Sequence, residues 1–215
     1  MLPAEVSLVN EGLGLLRESY QDLAGKSAEI VAHAADFVRR NSVQGLLVTG
    51  GFVTLFNPGL EAAVARVVGI PVASAVSSVV AALRALSVQK LILVTPFKAD
   101  MNAIIIKHLE ELGYQVCAGP SFDKERRPGA DVHVSSDELI GKVMECVEHN
   151  PAARAVYFQG ATLDPLPVIQ ELESAAKVPV VTSNTAMVWN ILNRLGVRLP
   201  IAGYGRLLAT WPTPP

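Results

Sequence analysis

Two strand ends in this chain carry the residues that could hold an acid. The first is Gly50-Gly51, in LLVTGGFVTLFNPG, with Thr54 one helical turn on. The second is Gln159-Gly160, in AVYFQGATLDPLP. Adjacent glycines permit positive φ and a close backbone approach, so free N–H groups there would suit a carboxylate. The same residues also suit a tight turn that needs glycine. Thr182, Ser183 and Asn184 form a third cluster between an apolar run and a helical stretch. Three short polar side chains at a helix start can hydrogen-bond an anion, or they can cap the helix. Together the clusters favour a small carboxylate-bearing ligand over a nucleotide.

The elements around these residues repeat one phrase. Each glycine-bearing strand end is followed by a helix and then by a strand that opens at a proline, IPVASA from Ile70 and VPVVTSN from Val178. Between them come the strands KLILVTPF and YQVCA, the latter stopped from joining the preceding helix by Gly113. Apolar strands separated by helices imply parallel pairing with right-handed crossovers. In such sheets ligands gather beyond the carboxyl ends of the strands. That puts Gly50, Pro96-Phe97, Gln159 and Thr182–Asn184 on one side. The expected fold class is α/β, with two pseudo-symmetric lobes, each a short parallel sheet flanked by helices, and a cleft between them. Residues 1–88 with 190–215 form the expected first lobe, and 89–189 the second. Asp100 reads as a helix cap, Ser135 with Glu138 as a capping box, and Asp164-Pro165 as a helix start. The proline-rich tail reads as a surface wrap without an element of its own.

Composition narrows the function. The chain has 215 residues, half of them apolar and 18% charged, with a net charge of −2. It has apolar residues enough for a core and too few charges for disorder. No basic face suggests nucleic acid. No apolar run reaches the ~18 residues of a membrane span. The N-terminus lacks the basic region of a signal peptide. Cys117 and Cys146 read as reduced core thiols, which fits a cytoplasmic protein. Histidines 33, 108, 133 and 149 are scattered, and three of them read as solvated helix residues. No metal-ligand spacing, Walker loop or serine elbow is present, so neither a metal nor a cofactor is expected. A homodimer is the default for a chain this apolar.

The motifs together resemble the aspartate/glutamate racemase superfamily, in its branch of maleate isomerases and arylmalonate decarboxylases. The likeness runs from about Leu13 to Leu207. It rests on GGFVT at Gly50, on GIPVASAVSSVVAALRALSVQKLILVTPF with Asn102 beyond it, on QGATLD, on VPVVTSNTAMVW and on GYGRLL. The resemblance implies an active site between two lobes, with a cysteine on each lobe in racemases and isomerases. Arylmalonate decarboxylases keep only the second cysteine, as proton donor, and have glycine at the first. Here Gly50 stands at the first position and Gln159 at the second. Glutamine is neither acid nor base, although its amide can donate to an anion. Phe97 stands where the decarboxylases have tyrosine. The family's opening strand is missing, which implies a smaller or reorganised first lobe.

The resemblance also implies that the segment before Ser136 reaches over the cleft. This makes Asp131 and His133 candidates to move protons, with Tyr204 of GYGRLL a third. Gly50, Gly51, Thr54, Phe97, Asn102, Gln159, Gly160, Thr182, Ser183 and Asn184 are the expected substrate-binding residues. The leading expectation is a cysteine-independent lyase or isomerase, decarboxylase-like, acting on a small organic acid or carbonyl compound through an enolate-like state. The alternatives are a catalytically silent member that binds a small carboxylate or a protein partner, and a cofactor-free cyclase or hydrolase using the same cleft.

Overall fold

A computed structural model describes Leu2, residues 4–122 and residues 132–214. Among the described residues, six strands make two parallel sheets. Strands β1 (Leu46–Val48) and β2 (Val72–Ser74) form the smaller sheet. The larger contains β3 (Lys90–Thr95), β4 (Gln115–Ser121), β5 (Val156–Phe158) and β6 (Val180–Thr182), in the order β4-β3-β5-β6. Nine α-helices alternate with them among the described residues. They are α1 (Ser27–Arg40), α2 (Gly51–Leu55), α3 (Leu60–Val68), α4 (Ala75–Ala85), α5 (Ala99–Glu111), α6 (Ser136–His149), α7 (Ile169–Ala176), α8 (Ser183–Arg194) and α9 (Arg206–Thr210). No described helix is long and apolar enough to cross a membrane.

Strand alternation sorts the core into two bodies. Successive side chains of a strand point to opposite faces. Ile92, Val94, Val156, Phe158 and Val180 face one cluster, with residues of α6 and α7. Leu91, Leu93, Tyr157 and Val181 face the other, with α4, α8 and the smaller sheet. Every one of these side chains is buried. The face carrying Tyr157 therefore looks toward β1 and β2, and the next residue on that face beyond the strand is Gln159.

The repeated phrase is visible in the caps. Ser74 caps α4, its hydroxyl accepting from Ser77 N while Ser77 reaches back to the Ser74 backbone. Thr182 caps α8 in the same reciprocal way with Thr185. The two capped helices then pack side by side. Across their contact the buried Asn190 Nδ2 donates to the buried Ser78 Oγ at 3.1 Å. Asn190→Ala strands that hydroxyl, so stability falls by about 1–3 kcal/mol in urea denaturation. Because the loss is shared, Asn190→Ala with Ser78→Ala costs less than the two single changes added together.

Three local expectations need correction. The tail is not a surface wrap: α9 buries Leu207 and Leu208 completely, and Trp211 is 1% exposed. The Trp211 indole donates to Asn193 Oδ1, and the Trp189 indole donates to Pro212 O, so the prolines flank a docked helix. Asp164 does not start α7. It accepts from Leu166 N at 3.1 Å and turns the chain into a short 3-10 segment first. Asp100 lies in the first turn of α5, whose cap residue is Lys98.

Candidate active site

The two strand-end turns face each other. Gly50 has φ +82° and caps α2, which opens at Gly51. The N–H groups of Gly51 and Phe52 head that helix, where no earlier turn supplies carbonyls to them. Opposite, Gln159 follows β5 and is 2% exposed. Its amide lies so close that a Cβ on Gly51 would stand 1.9 Å from Gln159 Nε2. Glycine at 51 is thus the condition for glutamine at 159. Ser183 Oγ donates to Gln159 Oε1 at 3.1 Å, which orients the amide with its nitrogen toward Gly51.

Aromatic rings close the space around this contact. Phe52 and Phe97 meet edge-on at 5.0 Å. Tyr20, from a 3-10 turn at Tyr20–Leu23, lies 4.6 Å from Phe52 and 5.5 Å from Phe97. Gly160, at φ +112°, lets the chain pass beneath Phe97 and Pro96, since a Cβ there would meet both at 2.9 Å. The cleft is therefore filled by Gln159 and three rings. A small space of about 10 Å³ borders Gln159.

The other expected binding residues have local partners. Asn102 Oδ1 accepts from Thr95 Oγ1 at 2.5 Å, and its Nδ2 donates to Phe97 O at 3.1 Å. It thereby holds the turn that presents Phe97. Thr54 Oγ1 donates to Gly51 O at 3.2 Å, inside the helix. Thr182 is occupied with capping α8. Asn184 is half-buried, one residue beyond Ser183. Of the proton-moving candidates, Tyr204 is half-buried against the larger core. His133 is exposed and lines a groove of about 510 Å³ with Ser135, Thr162 and Asp164, which shares no lining residue with the space at Gln159. Asp131 lies outside the described residues.

Two residues beside Gln159 escaped the sequence reading. Tyr157 is wholly buried, and burial drives its phenol well above the ordinary tyrosine range, partly relieved by a hydrogen bond with Ser183. His108 is not a solvated helix residue. It is half-buried beside Gln159 and Tyr157, and burial lowers its pKa below the ordinary imidazole value, against the pull of Glu111. The period-2 spacing of Tyr157 and Gln159 was available as a signal. The approach of His108 was not. No group of three or more potential metal ligands occurs among the described residues. Cys117 and Cys146 are free and pack toward the α6–α7 side of the larger sheet.

Residues 1–208 match the arylmalonate decarboxylase family. The chain belongs to that family. The arylmalonate decarboxylase of Bordetella bronchiseptica is 26% identical over 212 residues, covering 94% of this chain and 86% of that one. The maleate isomerase of Nocardia farcinica is 25% identical over 137 residues, 64% of this chain and about half, 54%, of the isomerase. Among solved structures, a glycine-to-cysteine variant of arylmalonate decarboxylase associated with sulfate superposes with a TM-score of 0.79 at 25% identity. The match covers 92% of this chain and 86% of that one. A cysteine-to-serine variant of the Nocardia farcinica maleate cis–trans isomerase, carrying a succinylcysteine intermediate, gives 0.71 at 22% identity, with 91% and 83% covered. At that identity the likeness is one of fold. The two-lobed α/β architecture read from the sequence is the architecture of these relatives.

Proposed function

We propose that this member of the arylmalonate decarboxylase family is a cysteine-independent lyase or isomerase, decarboxylase-like, acting on a small organic acid or carbonyl compound through an enolate-like state. The observation that carries this reading is the Gln159 amide. It is buried, held by Ser183 through its oxygen, and its nitrogen lies across the cleft against Gly51. A carboxylate or enediolate oxygen is the acceptor such a donor fits. The N–H groups of Gly51 and Phe52, at the head of α2, lie on the opposite wall. Donors fixed before reaction stabilise charge as it develops, without reorganisation during the step. Loss of CO₂ from an activated acid leaves the bonding pair delocalised into the remaining carboxylate as an enediolate, and these donors stabilise its negative charge. Apolar rings of Tyr20, Phe52 and Phe97 exclude water and strengthen each such hydrogen bond. The packing of Cys117 and Cys146 toward the α6–α7 side of the larger sheet supports a reading without a thiol.

The test is turnover of a panel of substituted malonates and related acids by the full chain, before and after alkylation of both cysteines. CO₂ release that survives alkylation is the expected result. Loss of all turnover on alkylation overturns the cysteine-independent assignment.

One observation favours a second reading, a catalytically silent member that binds a small carboxylate. The Gln159 amide and the rings of Tyr20, Phe52 and Phe97 occupy the cleft, so any acid must displace one of them to enter. Calorimetric binding of malonates without product across the panel selects this reading over the first.

A further inference from the structure

The proposed chemistry leaves the source of the proton open, and the small cavity beside Gln159 bears on it. Its walls are apolar side chains of α2, α4 and α5, Leu55, Val79 and Ile105 among them. Three residues bring polar atoms to it: His108, Tyr157 and Gln159. Its volume of about 10 Å³ is near the minimum for one water, and a buried water needs two to four polar partners. Those three side chains supply them. His108 is also only half-buried, so this lining residue has solvent contact as well. With its pKa lowered by burial, the ring is neutral at neutral pH, with one N–H donor and one acceptor nitrogen. Tyr157 stays protonated and bonds to Ser183, whose hydroxyl donates to Gln159.

We propose that His108 is the proton port of this cleft, passing protons from bulk solvent through a single water in the cavity toward Gln159 and the bound acid. This role rests on the enolate-forming reading given above. The step balances without a net charge on the ring. The enolate carbon takes a proton from the cavity water as the C–H bond forms. The water is restored by the inward N–H of His108. The outward ring nitrogen takes a proton from bulk, leaving the other neutral tautomer. His108 thus acts through the water and is a positioning and relay residue.

The experiment uses the isotopically labelled full chain and its His108→Leu and His108→Gln variants, with His149→Gln as control. Melting curves establish that each variant folds. Magnetisation transfer from water to the Gln159 side-chain amide and to the His108 ring is expected in the unsubstituted chain. With a turned-over malonate, His108→Leu is expected to lower kcat by about 10²-fold with KM kept, and added imidazole to restore part of it. A merely structural histidine would give no such rescue. Absence of water transfer at Gln159, or an unchanged kcat, overturns the proposal. If the unsubstituted chain turns over no acid, the enzymatic reading fails separately. The port is then judged by solvent exchange of the Gln159 amide protons: slowing in His108→Leu supports it, and an unchanged rate overturns it.

Discussion

Gln159→Leu is expected to fold and to lose about 10²–10³-fold in kcat on any acid the unsubstituted chain turns over. Leucine fills much of the volume between Gly51 and β5 but removes the donor that faces the cleft. The magnitude follows from the site's composition. Gln159 contributes a side-chain amide that faces Gly51 across the two strand-end turns, and no lysine or arginine lines the small space beside it. The same change leaves the Ser183 hydroxyl without its acceptor at 3.1 Å, so stability falls by about 1–3 kcal/mol as well. Steady-state kinetics and urea denaturation on one preparation separate the two effects. Gln159→Glu sharpens the comparison. It preserves length and accepts from Ser183, but it presents an anion where the substrate carboxylate must sit. It is expected to raise KM as well as lower kcat. An unaltered kcat in Gln159→Leu would falsify the assignment of this amide to the reacting charge.

The alternation of strands and helices made the fold legible. The residues that position the site were legible in part. Gly50, Gly51, Gln159 and Ser183 all sit where apolar runs end, a signal that needs no tertiary knowledge. What the chain could not announce is that the Gln159 amide fills the gap against Gly51. These residues are more than a hundred positions apart, and the contact depends on how two sheets approach. The same holds for His108, whose helix shows an ordinary amphipathic pattern. Its place beside Tyr157 comes from α5 packing on β4 and against α2, on the side of the larger sheet that carries Tyr157. The docked tail carried a signal that its prolines obscured: Leu207, Leu208 and Trp211 follow Gly205, which at φ +84° caps α9. The Tyr20 turn carried another, since Ser19 and Asp22 form a capping box. Reading prolines as a bar to structure, when they stand outside a helix rather than within it, caused the error at the tail.

The cleft's closure gives Gly51 and Gly160 different tasks. At Gly51 the neighbour is the end of a flexible side chain, so a methyl group there displaces the Gln159 amide and alters chemistry first. At Gly160 nothing nearby can yield as easily. The residue has φ +112°, a region essentially restricted to glycine, and a Cβ would stand 2.9 Å from both Pro96 Cδ and Phe97 Cζ. Phe97 is held in turn by Asn102, through Phe97 O, and by the rings of Tyr20 and Phe52. Gly160→Ala therefore combines backbone strain of about 1–3 kcal/mol with overpacking of a similar size. The expected loss is about 2–5 kcal/mol, a large share of the stability of a domain this size. Thermal melting and urea denaturation read it directly. Phe97→Leu in the Gly160→Ala background relieves the contact with the ring and leaves the backbone strain. It is expected to recover part of the loss, and no recovery means that backbone strain and the Pro96 contact set the cost.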